Sequence, residues 1–271
     1  MNDMISDIEP ILKNYGKITV FVKNYPLVLY LEIPHERRYA ACFVANIKYP
    51  TFDIDRLLID KFVRQGDKIL DAGANIGLTA LLFVQAGASE VVALEPVPDL
   101  AARIKDIGCS KIRCEPYALS ANRGQTNFYL STTHNQGSTY DIETMAMFPQ
   151  VYGEKPKPII VETISIDELG MGFDIWKLDV EGAEVDAAEG ASRHLQILPP
   201  RVIIAELYGN KFEKFNKRIR STHEHAYRAC IRKDDYSLSL INPAEYEVQA
   251  DKFHQFAPTF VFLRSPLDAV D

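Results

Sequence analysis

Lys68-Ile-Leu-Asp71-Ala-Gly73-Ala-Asn75-Ile-Gly77 decides the fold of this chain. Ile69 and Leu70 read as a buried strand, the glycines as a tight turn, and Leu78 to Phe83 as an apolar helix. A second apolar strand, Val91-Val-Ala-Leu94, ends at Glu95, eighteen residues beyond Gly77. Strand, glycine turn, helix, strand and acid is the order in which a doubly wound α/β sheet holds an adenosine-containing ligand. The acid meets the ribose hydroxyls.

A dinucleotide fingerprint, G-x-G-x-x-G, needs its second glycine so that backbone N–H groups can approach the pyrophosphate. Counted from Gly73, that position is Asn75 and the third is Leu78. Asp71 at the strand tip repels a diphosphate and attracts the α-ammonium group of S-adenosylmethionine. Gly73 and Gly77 give a turn free of Cβ crowding beside the amino-acid end of that cofactor. The spacing favours S-adenosylmethionine over NAD. Alone, the loop also fits a structural βαβ unit with an ordinary glycine turn.

Asp71-Ala-Gly-Ala-Asn-Ile-Gly77, Leu94-Glu95-Pro96 and Lys177-Leu-Asp179-Val-Glu181-Gly-Ala-Glu184 together resemble the FkbM family of S-adenosylmethionine-dependent methyltransferases. Ala118-Leu-Ser and Thr163-Ile-Ser-Ile-Asp167 fall in the family's order as well, and the match runs from about Asp53 to the C-terminus. The resemblance implies a class I methyltransferase fold: Rossmann-like α/β, with a seven-stranded, mostly parallel sheet and an antiparallel C-terminal strand. It implies methylation of a hydroxyl on a sugar or other natural-product intermediate. The first fifty residues carry no such resemblance.

The chain has 271 residues, of which 47% are hydrophobic, enough for one large α/β domain with a small N-terminal appendage. We divide it into a cap or hairpin segment, 1–52, and an S-adenosylmethionine-binding methyltransferase domain, 53–271. Thirty Lys and Arg against thirty-seven Asp and Glu give a net charge of −7, with no global pull toward nucleic acid or an anionic membrane. The basic run Lys211 to Arg220 reads as the solvated face of a connector or helix. Cys42, Cys109, Cys114 and Cys230 show neither a C-x-x-C pair nor zinc-ligand spacing, so reduced thiols are expected. The first residues lack the order of a signal peptide and no apolar run approaches a membrane span, which makes the cytoplasm the expected location.

Along the chain, a short amphipathic helix is expected over 3–14 and a hairpin over Ile18 to Ile33. The segment Arg37 to Phe52 is ambiguous, and a helix follows over Asp53 to Val63. Strand 68–72, helix 77–86, strand 90–94, helix 98–106 and strand 111–115 then alternate as a parallel sheet requires. Two more strands, Thr126 to Leu130 and Ile159 to Ile164, frame an insertion. Strand 174–179, helix 183–195, strand 201–206, helix 221–231 and strands 236–241 and 258–264 complete the order, the last two as an antiparallel pair.

Ligands of open parallel sheets lie off the carboxyl ends of the strands. Asp71, Glu95, Asp179 and Glu206 fall there, with Glu115 a further candidate. Asp71 and Glu95 are assigned to the cofactor as ammonium and ribose partners, together with Gly73, Asn75 and Gly77. The adenine is expected by Tyr117 and Ala118. Asp179, Glu181 and Glu206 are candidate Mg²⁺ ligands, since a hard cation takes a few carboxylate oxygens and keeps waters. A metal-free reaction is favoured, in which Asp179 or a histidine accepts the proton and alignment supplies most of the rate. His134, in the insertion beside a Gly-Ser turn, is the histidine assigned to that role. His223 and His225 point about 200° apart on the expected helix and share no metal. His35, His194 and His254 are read as surface residues and Trp176 as core. Met145, Met147 and Phe148 suit an apolar acceptor pocket or lid packing. The expected reaction is O-methylation of a small-molecule hydroxyl, using S-adenosylmethionine. An N-methyltransferase, a non-catalytic binding module and an NAD-dependent oxidoreductase are the alternatives.

Overall fold

A computed structural model of the chain describes residues 8–133, 135–152, 156 and 158–267. Residues 8–12 are helical, continued by a 3-10 turn, Lys13–Tyr15; the rest of the helix expected over 3–14 lies outside the described residues. Strands β1 (Lys17–Val22) and β2 (Tyr25–Tyr30) form the expected antiparallel hairpin. Two helices follow: α1 (Pro34–Ala45), where the sequence was ambiguous, and α2 (Pro50–Phe62), the helix expected over Asp53 to Val63. Each starts on a proline, whose fixed φ and missing N–H suit a first helical turn.

The core proceeds as β3 (Lys68–Ala72), α3 (Leu78–Ala86), β4 (Glu90–Leu94), α4 (Pro98–Asp106) and β5 (Ile112–Glu115). Beyond β6 (Ala118–Leu119), β7 (Gly124–Tyr129) and β8 (Pro158–Ile164) frame the insertion, and these three make a small separate sheet. The insertion carries helix α5 (Ile142–Met147) and the turn Pro149–Tyr152. Then come β9 (Ile175–Leu178), α6 (Glu184–Glu189), α7 (Ser192–Ile197), β10 (Val202–Glu206), α8 (Lys211–Ile219), β11 (His225–Ile231), β12 (Leu238–Ile241) and β13 (Thr259–Leu263).

Among the described residues the main sheet has eight strands, ordered β12-β11-β13-β10-β9-β3-β4-β5. β5, β4, β3, β9 and β10 are parallel neighbours; β13 lies antiparallel between β10 and β11. β11 is the strand beyond the expected seven; it lies between β13 and β12, so β12 pairs with β11 and not with β13. The chain leaves β3 toward β4 on one side and later returns to β9 on the other. That reversal opens a crevice above the carboxyl ends of these strands.

Side chains alternate across the sheet as a pleat demands. Ile69, Val91, Ala93, Ile175 and Ile204 join the core on the hairpin side; Leu70, Val92, Leu94, Trp176 and Ile203 join the opposite one. Residues 17–59 contribute Val20, Leu29, Phe52 and Leu58 to the first of these cores, so the N-terminal segment is packed into the sheet domain itself.

Two expected elements are corrected. Residues 225–231 are a strand, not part of a helix over 221–231, and the helix before it is α8, inside the basic run read as solvated. Phe212 and Phe215 of α8 lie 4.6 Å from Phe260 and 5.2 Å from Phe262, ring centre to ring centre. Lys211, at the head of that helix, is buried. The helix expected over 183–195 is two short helices, broken at Gly190, which packs directly on the carbonyls of Ser120 and Ala121. His194 is not a surface residue: it is buried between Asp167 and the carbonyl of Met171. His223 is also buried, held by Thr222 and the carbonyl of Pro200, and burial pushes its pKa down to about 4.

Candidate functional site

The turn after β3 is built by close approach. Gly73 has φ +82°, and a Cβ there would lie 1.8 Å from the carbonyl oxygen of Asp179. Only glycine lets the turn pass the end of β9. The N–H groups of Gly73 and Ala74 bond the Leu94 carbonyl, which ties the turn to the end of β4. Gly77 opens α3 at φ +82°, against the side chains of Ile104 and Ile107. It lies behind the crevice, not in its wall.

That crevice holds a cavity of about 340 Å³, within the ~300–1,000 Å³ usual for small-molecule sites. Gly73, Asn75, Glu95 and Ala118, all expected to touch the cofactor, line it, as do Tyr117, Asp179, Glu181 and Glu206. The Glu95 carboxylate accepts the N–H of Asn75 at 2.9 Å and the N–H of Val97 at 2.9 Å. Burial, partly offset by those two hydrogen bonds, pushes its pKa up to about 7. Each oxygen keeps a lone pair for an outside donor.

Asp71 sits differently. It is fully buried, lies outside the cavity wall, and neither oxygen has a hydrogen-bond partner among the described residues. Burial raises its pKa to about 7, against the opposing pull of Lys177. A direct grip on an ammonium group is therefore not what this position offers; its carboxyl belongs to the charge cluster beneath the cavity.

Lys177 is the centre of that cluster and was not among the residues expected from sequence. A lysine in the buried strand Ile175-Trp-Lys-Leu178 was the available signal. Its Nζ donates to Asp179 Oδ2 at 3.0 Å and lies 3.9 Å from Asp55 Oδ2. Burial lowers its pKa, but Asp179, Asp55 and Asp71 together hold it well above its ordinary value. Beyond Asp179, Glu181 takes a left-handed backbone, φ +52°, and burial beside Asp179 pushes its pKa up to about 8. Glu206 accepts the hydroxyl of Tyr208 at 2.6 Å, and burial near Asp179 and Glu181 raises its pKa well above normal. Glu184 accepts the N–H groups of Val180 and Gly182, which shapes the turn.

The Mg²⁺ expectation is not supported. Among the described residues no three His, Cys, Asp or Glu side chains converge as a metal site, Asp179, Glu181 and Glu206 included. Lys177 already supplies the cation beside Asp179. His134 lies outside the described residues. Of the apolar trio in the insertion, Phe148 lines the cavity and Met147 faces solvent.

The remaining walls come from segments that motif reading passes over. α1 and α2 give His35, Glu36, Tyr39, Phe52 and Asp55; the insertion gives Asn135 to Ser138, Tyr140 and Tyr152. Lys211 Nζ anchors the insertion from below, 2.6 Å from Asp141 Oδ2 and 2.6 Å from the Gly182 carbonyl. Among the described residues no helix is long and apolar enough to cross a membrane.

Residues 71–238 match the model of the methyltransferase FkbM domain, more than half of the chain. Among solved structures, methyltransferase FkbM from Methylobacillus flagellatus KT is 14% identical with a TM-score of 0.51; the match covers 86% of this chain and 52% of that one. The chain thus spans about half the length of that protein, and the likeness is one of fold. An S-adenosylmethionine-dependent methyltransferase from Agrobacterium tumefaciens is 10% identical, TM-score 0.45, over 92% of this chain and 71% of that one. A TehB-like methyltransferase from Corynebacterium glutamicum is 14% identical, TM-score 0.41, over 85% and 96%. A comparison with curated protein sequences finds no relative of this chain.

Proposed function

Because this chain belongs to the FkbM family of S-adenosylmethionine-dependent methyltransferases, we propose that it methylates a hydroxyl of a small molecule, a sugar or natural-product intermediate. The observation that carries this reading is one cavity bounded at one end by Glu95 and at the other by the Lys177–Asp179 pair. The first is a buried carboxylate, pre-set by two backbone donors, that suits two ribose hydroxyls. The second stands over the ends of β9 and β10, where an acceptor fits.

S-adenosylmethionine supplies a methyl group already activated by a sulfonium, so the protein's task is chiefly alignment. Glu95 holds the ribose, and Tyr117 and Ala118 flank the adenine. Asp179, fixed by Lys177, accepts the hydrogen bond of the acceptor hydroxyl and takes its proton as the oxygen attacks. Lys177 holds the Asp179 carboxylate in place through the 3.0 Å contact from its Nζ. The Asp179 carboxylate at the acceptor end argues against an amine acceptor, which needs a free lone pair and is held protonated beside a carboxylate. The partners that follow are a small hydroxyl acceptor, not nucleic acid and not a membrane.

The test is acceptor-dependent formation of S-adenosylhomocysteine with a panel of monosaccharides, glycosides, other alcohols and amines. Turnover with hydroxyl acceptors supports the reading, and turnover with amines alone overturns it. Tight cofactor binding without turnover across the panel favours a non-catalytic module. Asp179→Asn is expected to lower kcat by about 10²–10⁴ while S-adenosylhomocysteine binding changes little.

A further inference from the structure

Glu36 of α1 is fully buried at the rim of the cofactor end, and it lies outside the span 71–238 that matches the family. Its Oε1 accepts from Arg103 Nη1 at 2.8 Å and from Asn135 Nδ2 at 2.7 Å. Its Oε2 accepts from Arg103 Nη2 at 2.6 Å and from the Tyr30 N–H at 2.7 Å. Every partner is a donor, so the site requires a carboxylate.

Asn135 Nδ2 also points to Asn75 Oδ1, at 3.2 Å. Its two N–H groups are therefore taken, and a flip of the amide would set its carbonyl oxygen against Glu36. Asn135 Oδ1 is left as an acceptor in a residue of the cavity wall, and that atom is buried without a partner among the described residues. The Asn135 backbone carbonyl in turn accepts from Asn75 Nδ2 at 2.8 Å, and the Asn75 N–H is one of the two donors that fix Glu95.

We propose that Asn135, oriented by Glu36, is a second ribose-binding group, its Oδ1 accepting a hydrogen bond from an S-adenosylmethionine ribose hydroxyl beside Glu95. Glu36 is then a positioning residue: it fixes which end of the Asn135 amide meets the ligand. This inference rests on the cofactor assigned under the proposed function. It gives the N-terminal segment a part in the cofactor site, exerted through Asn135.

Calorimetry of the full chain with S-adenosylhomocysteine and with 5′-methylthioadenosine, which keeps the ribose but lacks the amino acid, separates the cases. Asn135→Ala is expected to weaken both ligands by about five- to tenfold, the value of one hydrogen bond. Glu36→Gln, which puts an N–H where only donors stand, is expected to raise the KM for S-adenosylmethionine by a similar factor. The acceptor KM and kcat should stay within about twofold, a split that a merely structural role would not give. Unchanged affinities in Asn135→Ala overturn the proposal, and a loss confined to S-adenosylhomocysteine overturns the ribose contact. Wild-type protein that binds neither ligand overturns the cofactor assignment beneath it. If Glu36→Gln does not fold, Asn135→Ala decides alone.

Discussion

Lys177 Nζ stands 3.0 Å from Asp179 Oδ2, where both residues, at the end of β9, line the cavity. Asp55 and Asp71 complete the surroundings of the ammonium group. One buried cation thus balances three carboxyls. Lys177→Met, which keeps most of the length of the side chain and removes the charge, is expected to destabilise the protein by about 3–5 kcal/mol at pH 8. Lys177 opposes the raised pKa values of Asp55 and Asp71, so its loss raises them further. Protonation then relieves the variant at low pH. The gap between variant and wild type should narrow toward pH 5, measured by urea unfolding across that range, and a pH-independent gap would contradict the charge argument.

Glu95 gives a pH dependence of its own. Its pKa of about 7 in the folded protein lies above the ~4.3 of a free glutamate, as does that of Glu184, also about 7. For an acid raised in this way, the stabilisation is complete below the unfolded pKa and is lost as pH rises through the folded one. These groups therefore make the empty protein more stable near pH 5 than near pH 8. Ligand binding has the opposite sign. A ribose that donates to Glu95 favours the ionised carboxylate, so S-adenosylhomocysteine should bind more tightly as pH rises from 6 to 8. Calorimetry near pH 7 in buffers of different ionisation enthalpy should show proton release, and proton uptake would contradict the assignment of Glu95.

The sheet up to β5 and the Glu95 end of the cavity were readable because each lies next to a glycine turn and an apolar strand in sequence. Asp71 was harder. It shares the face of Ile69, while Leu70 and Ala72 face the opposite core. The pleat, not the strand end, therefore decides where its carboxyl goes. β11 was mistaken for a helix because Ala226, Ala229 and Cys230 fit a helical stripe. In the fold Ala226 and Ala229 go to opposite sides, the alternation of a strand. α8 was hidden for the complementary reason, since its charged face masks Phe212, Phe215 and Ile219. Glu36, Asn135 and Lys211 carried no local signal at all: their partners lie 99, 60 and 70 residues away. Contacts of that kind are set by tertiary packing.

The two glycines of the turn should differ sharply on substitution, although both have φ +82°. In Gly73→Ala the new Cβ meets the backbone carbonyl of Asp179 at 1.8 Å, an atom that moves only if β9 moves. In Gly77→Ala it meets the Ile107 Cδ1 at 2.8 Å, the end of a side chain that can turn away. Gly77→Ala is expected to lose about 1–2 kcal/mol, the left-handed backbone and mild overpacking combined. Gly73→Ala should lose more than about 3 kcal/mol or fail to fold. Thermal unfolding of the two variants side by side is the measurement, and equal losses would show that the turn does not need its close approach to β9.

Lys211 makes the last case, because it joins the insertion to the turn after β9 by one buried ammonium group. Lys211→Met fills the same space but leaves Asp141 with only the N–H and hydroxyl of Thr144. The loss is expected to be about 3 kcal/mol. Burial works to raise the Asp141 pKa, but Lys211 and Thr144 outweigh it and hold the carboxyl below its ordinary value. A depressed acid contributes stability above its unfolded pKa, ~3.9, and loses it as pH falls through the folded value. The difference between Lys211→Met and wild type should therefore be full at pH 7 and shrink below pH 4. Hydrogen exchange should accelerate in residues 139–148 of the variant while the strands β3 and β4 keep their protection. Since Tyr140 and Phe148 line the cavity, the acceptor KM should rise more than the KM for S-adenosylmethionine. An exchange pattern unchanged over 139–148 would mean that the insertion is held by its hydrophobic contacts and that this lysine does not fasten it.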